Sequence, residues 1–169
     1  STVPSIVGAN DRKAKYLHSS PMLSLAKIHS TKEGTAPISE MNIWFANIKK
    51  DLKAKRIEYD HKFEVSLKYD GNAANAIYQD GKLLRILSRG NGTQGRDITN
   101  KLLHCVPQEM NELVGIVEVR GEVVVKIKTF QEKYSEFKNP RNFVAGVLNR
   151  DENDDNPESV LFDLDFIPV

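Results

Sequence analysis

Ile116-Val117-Glu118-Val119-Arg120-Gly121-Glu122-Val123-Val124-Val125-Lys126-Ile127 is the stretch from which the fold is read. It is rich in valine, and its residue types alternate. Val119, Gly121, Val123 and Val125 fall on one face of a strand, and Glu118, Arg120 and Glu122 on the other. One face therefore suits a core and the other a polar neighbour. Two readings of Glu122 stand at this point. One is a cross-strand ion pair of little energetic weight; the other is a carboxylate that binds a ribose hydroxyl or a metal.

Upstream, residues 62–70 alternate in the same way, with Phe63, Val65, Leu67 and Tyr69 against Lys62, Glu64, Ser66, Lys68 and Asp70. This predicts a half-buried strand with Lys68 and Asp70 on one face, and Gly71 lets the backbone turn or come close to a ligand. A lysine beside a carboxylate is either a solvated strand face or a covalent nucleophile, and the nucleophile needs help because its amine is protonated near neutral pH. Residues 74–79 and 83–88 form a hairpin around Asp80-Gly81. The loop 89–96 that follows holds three glycines and two arginines. It is either a plain connection or a phosphate cradle of backbone N–H groups; it lacks both the P-loop ending and the dinucleotide-fold spacing.

Farther out, residues 97–103 read as a short helix. Thr129 with Glu132 forms a capping box for a helix to about residue 138. Asn139-Pro140 starts another helix, carrying Arg141, Phe143, Val144, Val147 and Leu148. Arg141 is a surface arginine or an anion ligand at a helix N-terminus. Residues 161–167 read as a last strand. On the other side, residues 1–20 read as extended or irregular. Ser39 caps a helix over about 40–55, with Met41, Trp44, Phe45, Ile48 and Leu52 at helical spacing and lysines gathered at its end. The acidic loop 151–158 is no calcium loop: it has no glycine at the sixth position, and Phe162 stands where the glutamate belongs. His18 has no metal-spaced partner and reads as structural.

Composition narrows the classes. The 169 residues suit one ordinary domain. A net charge of +1 excludes a strong global field toward nucleic acid, so any basic surface is local. Cys105 is the only cysteine, which excludes an internal disulfide and a multi-cysteine zinc site; it reads as a core residue. No run is long enough to span a membrane. The chain begins at Ser1 rather than Met, as processed chains and pieces of longer ones do.

In order, these pieces resemble the adenylation domain of NAD-dependent DNA ligases. Lys68-Tyr69-Asp70-Gly71 is similar to the nucleotidyltransferase K-x-D-G. The stretch from Ser88-Arg89-Gly90-Asn91-Gly92 through Gly95-Arg96-Asp97-Ile98-Thr99 resembles T-R-G-D-G-x-x-G-E-D-V-T. Val117-Glu118-Val119-Arg120-Gly121-Glu122-Val123 resembles L-E-V-R-G-E-V. Asn139-Pro140-Arg141-Asn142 with Ala145-Gly146 and Leu148 resembles N-P-R-N-x-x-A-G-x-L-R. His18-Ser19-Ser20-Pro21-Met22-Leu23-Ser24-Leu25 resembles H-x-x-P-M-L-S-L, the element that separates the NAD-using branch from ATP-using ligases and capping enzymes. Four positions depart. Ser66 stands for a glutamate that contacts adenine, Asn91 for an aspartate, Arg96 for a glutamate, and Asn149 for an arginine that contacts phosphate.

The resemblance implies an α+β nucleotidyltransferase fold of the DNA ligase and mRNA-capping type, with antiparallel sheets and flanking helices. It makes residues 1–169 one partial adenylation domain. The family's nicotinamide-binding segment, two later lysine motifs, OB-fold, zinc module and helix-hairpin-helix region are absent from it. It implies that Lys68 takes AMP from NAD, with Asp70 orienting Lys68 or a Mg²⁺-bound water, and passes it to the 5′-phosphate of a nick. Ser24, Leu25, Ser66, Leu67, Arg89, Glu122, Arg141 and Phe166 become the NAD-binding positions, Phe166 as an adenine-stacking aromatic; no residue is assigned to hold a metal. The implied partners are nicked duplex DNA, through the full-length enzyme, and a second subunit or further domains, with no membrane; the implied location is bacterial, phage or viral cytoplasm. The alternatives are a nucleotide-binding module without turnover and an ATP-using ligase or capping relative.

Overall fold

Alternating apolar and polar residues assemble four antiparallel strands into one sheet. The computed structural model describes residues 6–7, 15–24, 38–58, 60, 62–150 and 158–169. Strands β3 (Asn72–Gln79), β4 (Lys82–Ser88), β6 (Ile116–Val125) and β7 (Leu164–Pro168) lie in the order β4-β3-β6-β7. The β3–β4 hairpin turns on Asp80 (φ 47°) and Gly81 (φ 80°), the paired left-handed conformation that a two-residue hairpin demands. A Cβ at Gly81 would stand 2.6 Å from the Met110 carbonyl oxygen, so glycine is required there twice over. A second sheet joins β1 (Ile6–Val7), β2 (Lys15–Leu17) and β5 (Gln94–Arg96) in the order β1-β2-β5. Within residues 1–20, read as extended or irregular, the described residues thus include these two strands. They are too short to show a period of their own, and distant β5 completes them.

The helices are α1 (Ile38–Ala54), α2 (Thr99–Leu102), α3 (Ile127–Lys133), α4 (Pro140–Asn149) and α5 (Glu158–Leu161). Helix α4 starts as its sequence dictates: Asn139 Oδ1 accepts from the Asn142 amide at 2.8 Å, and Pro140 fills the first turn. Its Phe143, Val144, Val147 and Leu148 are buried with Ala74, Ala76, Tyr78, Val123, Val125 and Leu164. Each large aliphatic or aromatic side chain so buried contributes about 1.5–3 kcal/mol. The valine face of β6 is therefore the core face. Helix α3 begins directly after β6, with Lys126 as its cap, and ends at Lys133. The Thr129/Glu132 capping box is not used, because the chain turns into the helix before reaching Thr129. Likewise α5 occupies the start of the predicted last strand, and β7 begins only at Leu164. The acidic residues 151–157 lie outside the described residues.

The chain forms two compact units, one of Ser1–Leu23 with Lys68–Val169 and the other of Ser24–Leu67. The second holds α1, close to its predicted bounds; there Trp44, Phe45 and Phe63 cluster, with ring centroids 5.0 Å (Trp44–Phe45) and 4.9 Å (Phe45–Phe63) apart. The strand expected over residues 62–70 does not form. The segment joins no strand among the described residues and is exposed, Val65 at 93% and Leu67 at 78%. Alternation there meets no neighbouring strand to hydrogen-bond, and Phe63 packs on the α1 aromatics instead.

Cys105 is part-buried and packs against the core as expected; burial, helped by the Asp165 charge, pushes its thiol up to about 11. No described helix is long and apolar enough to cross a membrane. One polar junction fastens α3 to the start of β7. Asp163 accepts from Tyr134 Oη at 2.5 Å and from Lys133 Nζ at 3.0 and 3.1 Å. Burial pushes the Asp163 carboxyl up, but the Tyr134 hydroxyl and the Lys133 ammonium outweigh it, and the net shift is down. A depressed native carboxyl stabilises the fold above its unfolded value and loses that contribution as pH falls through the native one. Asp163→Asn is expected to cost about 1–3 kcal/mol in urea unfolding at pH 7. The gap to wild type should narrow as pH falls below ~3.9, where the unfolded carboxyl is protonated. An equal gap at both pH values would contradict this account.

Candidate active site

Register brings the site together on the polar face of the larger sheet. Glu122 stands opposite Ala73 on β3 and opposite Ile167 on β7. The Arg89 amide donates to the Ala73 carbonyl at 3.0 Å, which carries the row onward to the end of β4. Lys68 and Asp70 arrive from the other direction, just before β3. Gly71 is pressed so closely on β6 that a Cβ there would lie 2.2 Å from the Val123 carbonyl oxygen. Arg141, in the first turn of α4, closes the group. Its Nε lies 2.9 Å from Asp70 Oδ1, and its carbonyl accepts from Asn72 Nδ2 at 3.0 Å. The ion pair is solvent-exposed, so it orients more than it stabilises.

Glu122 is the electrostatic centre. Burial pushes its carboxyl above the ordinary carboxylate range; the Lys68 ammonium and Arg141 guanidinium oppose this, Asp70 adds to it, and Arg89 opposes it. Its Oε2 is buried with no hydrogen-bond partner among the described residues. A buried carboxylate oxygen without a donor is costly unless something supplies one. Of the two readings of Glu122, the ion pair is not the one seen: no described cation lies within salt-bridge distance of it.

Residues 18–22 cross this face as a strap. The His18 amide donates to the Thr93 carbonyl at 2.9 Å and the Met22 amide to the Gly92 carbonyl at 2.8 Å. Arg89 Nε donates to the Met22 carbonyl at 3.1 Å. The Arg120 guanidinium, two residues from Glu122 on the same face, donates to the Ser20 carbonyl (2.8 Å), Ser20 Oγ (2.6 Å) and the Pro21 carbonyl (3.2 Å). Sequence reasoning saw Arg120 only as an ion-pair partner. The alternation of β6 placed it beside Glu122, but nothing local to it pointed to residues a hundred positions away.

Several amides of the glycine loop 89–96 are already bonded within the protein. Gly92 N is bonded to the Arg89 carbonyl, Thr93 N and Gln94 N to Asn91 Oδ1, and Arg96 N to Ser88 Oγ. What the loop offers is the Arg89 side chain on a fixed turn. Asn91 accepts three donors, all at Oδ1, counting Thr93 Oγ1 at 3.0 Å. An aspartate would make the same three bonds, so this departure leaves the loop intact. The departures at 96 and 149 meet: Arg96 Nη2 donates to Asn149 Oδ1.

Phe166 is not on this face. It pairs with Val123, packs against the core, and its Cζ lies 2.5 Å from where a Gly121 Cβ would be. A period-2 count from Val123 puts Ile167, not Phe166, beside Glu122. Ser24, Ser66 and Leu67 belong to the second unit and are exposed, and Leu25 lies outside the described residues.

Residues 11–167 match the model of the NAD-dependent DNA ligase adenylation domain. The chain belongs to that family. Among curated relatives, it is 36% identical over 146 residues to a protein named DNA ligase from Mesomycoplasma hyopneumoniae strain 7448, covering 82% of this chain and 19% of that one. It is 37% identical over 142 residues to the DNA ligase of Chlorobium chlorochromatii, covering 78% and 20%. With that of Leuconostoc citreum it shares 33% over 147 residues, covering 81% and 20%. The chain thus spans about a fifth of the length of the relatives it matches.

The raised Glu122 carboxyl fixes a pH dependence. The native state holds the proton to higher pH than the unfolded chain, so stability falls as pH rises from the ordinary carboxylate range through the raised native value, then levels off. Glu122→Gln should remove that fall, and chemical-denaturation midpoints between pH 4 and 8 should show a flatter profile. Parallel profiles for the two proteins would refute the assignment.

Proposed function

We propose that this chain, on a nucleotidyltransferase fold, performs the nucleotidyl-transfer step of NAD-dependent DNA ligation. The observation that carries the reading is the buried, donorless Glu122 oxygen within the field of Lys68, Arg89 and Arg141. A ribose hydroxyl is the donor that such an oxygen lacks, and the three cations suit the phosphates attached to that ribose.

In the step itself Lys68 gives up a proton to solvent, and its Nζ lone pair forms a bond to the AMP phosphorus of NAD. The bond from that phosphorus to the bridging oxygen breaks, and nicotinamide mononucleotide leaves with the electron pair. Arg89 and Arg141 offset the negative charge of the phosphates, and Asp70 holds Arg141 in place. In the full ligase reaction, a 5′-phosphate oxygen at a nick then takes AMP from Lys68, and the neighbouring 3′-hydroxyl displaces AMP to close the strand. Positioning and charge neutralisation supply most of the rate in such transfers. On the Glu122 face Ile167 is the β7 side chain available to the base, while the core keeps Phe166. The departure at Ser66 removes a carboxylate from the adenine contact that the resemblance implied.

Magnesium belongs to this reading as well. No group of three or more potential metal-ligating side chains occurs among the described residues, and Asp70 is paired with Arg141. The protein does not form a metal cage from these residues; the ion would have to be held largely by phosphate oxygens and water, as magnesium commonly is.

Incubation with NAD and Mg²⁺ should add one AMP to the protein in intact-mass spectrometry, and ATP should not. Lys68→Ala should abolish the adduct and keep the melting temperature, because an exposed lysine contributes little packing. An adduct on the Lys68→Ala protein, or a faster one from ATP, would overturn the reading.

A further inference from the structure

His18 joins the strap to Arg89 in a way that its role as a buried side chain does not exhaust. Its Nε2 lies 3.1 Å from the Arg89 carbonyl oxygen. A carbonyl can only accept, so Nε2 carries the hydrogen and donates it. The residue is 8% exposed, and the ring is confined: a Cβ at Gly95 would lie 3.1 Å from Nε2. Arg89 is therefore held at two points from one short segment, its carbonyl by His18 and its Nε by the Met22 carbonyl. Fixing Nε fixes the plane of the guanidinium, and fixing the carbonyl fixes the turn from which the side chain departs. An arginine ordered in advance loses less side-chain entropy when it grips an anion.

We propose that His18 is a positioning residue for Arg89. Through its Nε2–H bond to the Arg89 carbonyl it holds the glycine loop in the one geometry that aims the guanidinium at the phosphate of a bound adenine nucleotide. The proposal rests on the nucleotide reading above, and His18 itself touches no substrate.

Three variants separate this role from packing. His18→Gln keeps an N–H donor near the place of Nε2. His18→Leu keeps comparable bulk and removes the donor. Arg89→Ala removes the residue being positioned. AMP is the probe, its affinity measured by titration calorimetry, and adduct formation from NAD is followed separately by mass spectrometry. His18→Leu should weaken AMP about tenfold, the size expected when one hydrogen bond to a charged group is misaligned. His18→Gln should restore most of that loss. In the Arg89→Ala background His18→Leu should add no further loss, because its effect runs through Arg89. Additive losses, or no rescue by glutamine, would overturn the proposal. In the wild-type protein, nitrogen-15 NMR of the four histidines should show a hydrogen on His18 Nε2, its signal assigned by its disappearance in His18→Gln or by through-space contacts to Gly95. An Nε2 without hydrogen would overturn the proposal even if His18→Leu failed to fold. A wild-type protein that binds AMP but gains no adduct would sink the transfer reading and leave the affinities to decide His18; one that binds no AMP overturns the His18 proposal.

Discussion

The pleat of β6 is the constraint on which the rest depends. Its side chains alternate strictly, so once Val123 and Val125 enter the core, Glu122 must face the other way. Pairing with β3 and β7 then leaves no freedom: Ala73 and Ile167 flank Glu122, and Arg89 extends the row. A one-residue slip of this strand would put a carboxylate into the apolar layer under α4 and expose the valines. The stability of the α4 side of the sheet and the chemistry of its other side are enforced by the same register.

The energetics of the two faces differ in kind. The core face gains from area removed from water. The polar face carries a cost, because Glu122 Oε2 is buried with no donor among the described residues and three cations only partly offset the penalty. A site that tolerates such a cost in the free protein recovers it when a ligand donates the missing hydrogen bond. The Arg141–Asp70 pair, open to solvent, contributes little to this balance and serves to set the direction of two side chains.

Local chemistry made much of this legible. The Asp80-Gly81 hairpin, the Asn139-Pro140 helix start, α1 and both faces of β6 follow from signals a few residues long. What sequence reading missed depended on distant partners. Residues 62–70 alternate but find no strand beside them. Residues 6–7 and 15–17 carry no period yet become strands because β5 is there to pair. The aromatic ring of Phe166 points to a stacking role, but the pleat assigns the position beside Glu122 to Ile167, and that assignment depends on the β6–β7 pairing, which no local signal carries. The Arg120 contacts with Ser20 and Pro21 span the whole unit and leave no trace in either segment alone.

Gly71 shows how a motif letter can mislead. Read as sequence, the glycine of Lys68-Tyr69-Asp70-Gly71 makes room for a ligand; in the fold it makes room for the Val123 carbonyl and for the Val124 side chain, 2.8 Å from its missing Cβ. That letter is owed to the sheet whether or not any nucleotide is ever bound. A descendant that had lost catalysis would still need it to fold, and would go on displaying the end of an enzyme's signature. An intact motif of this kind therefore reports inheritance of the architecture, and working chemistry has to be judged at positions such as Glu122, where the fold gains nothing from the residue it keeps.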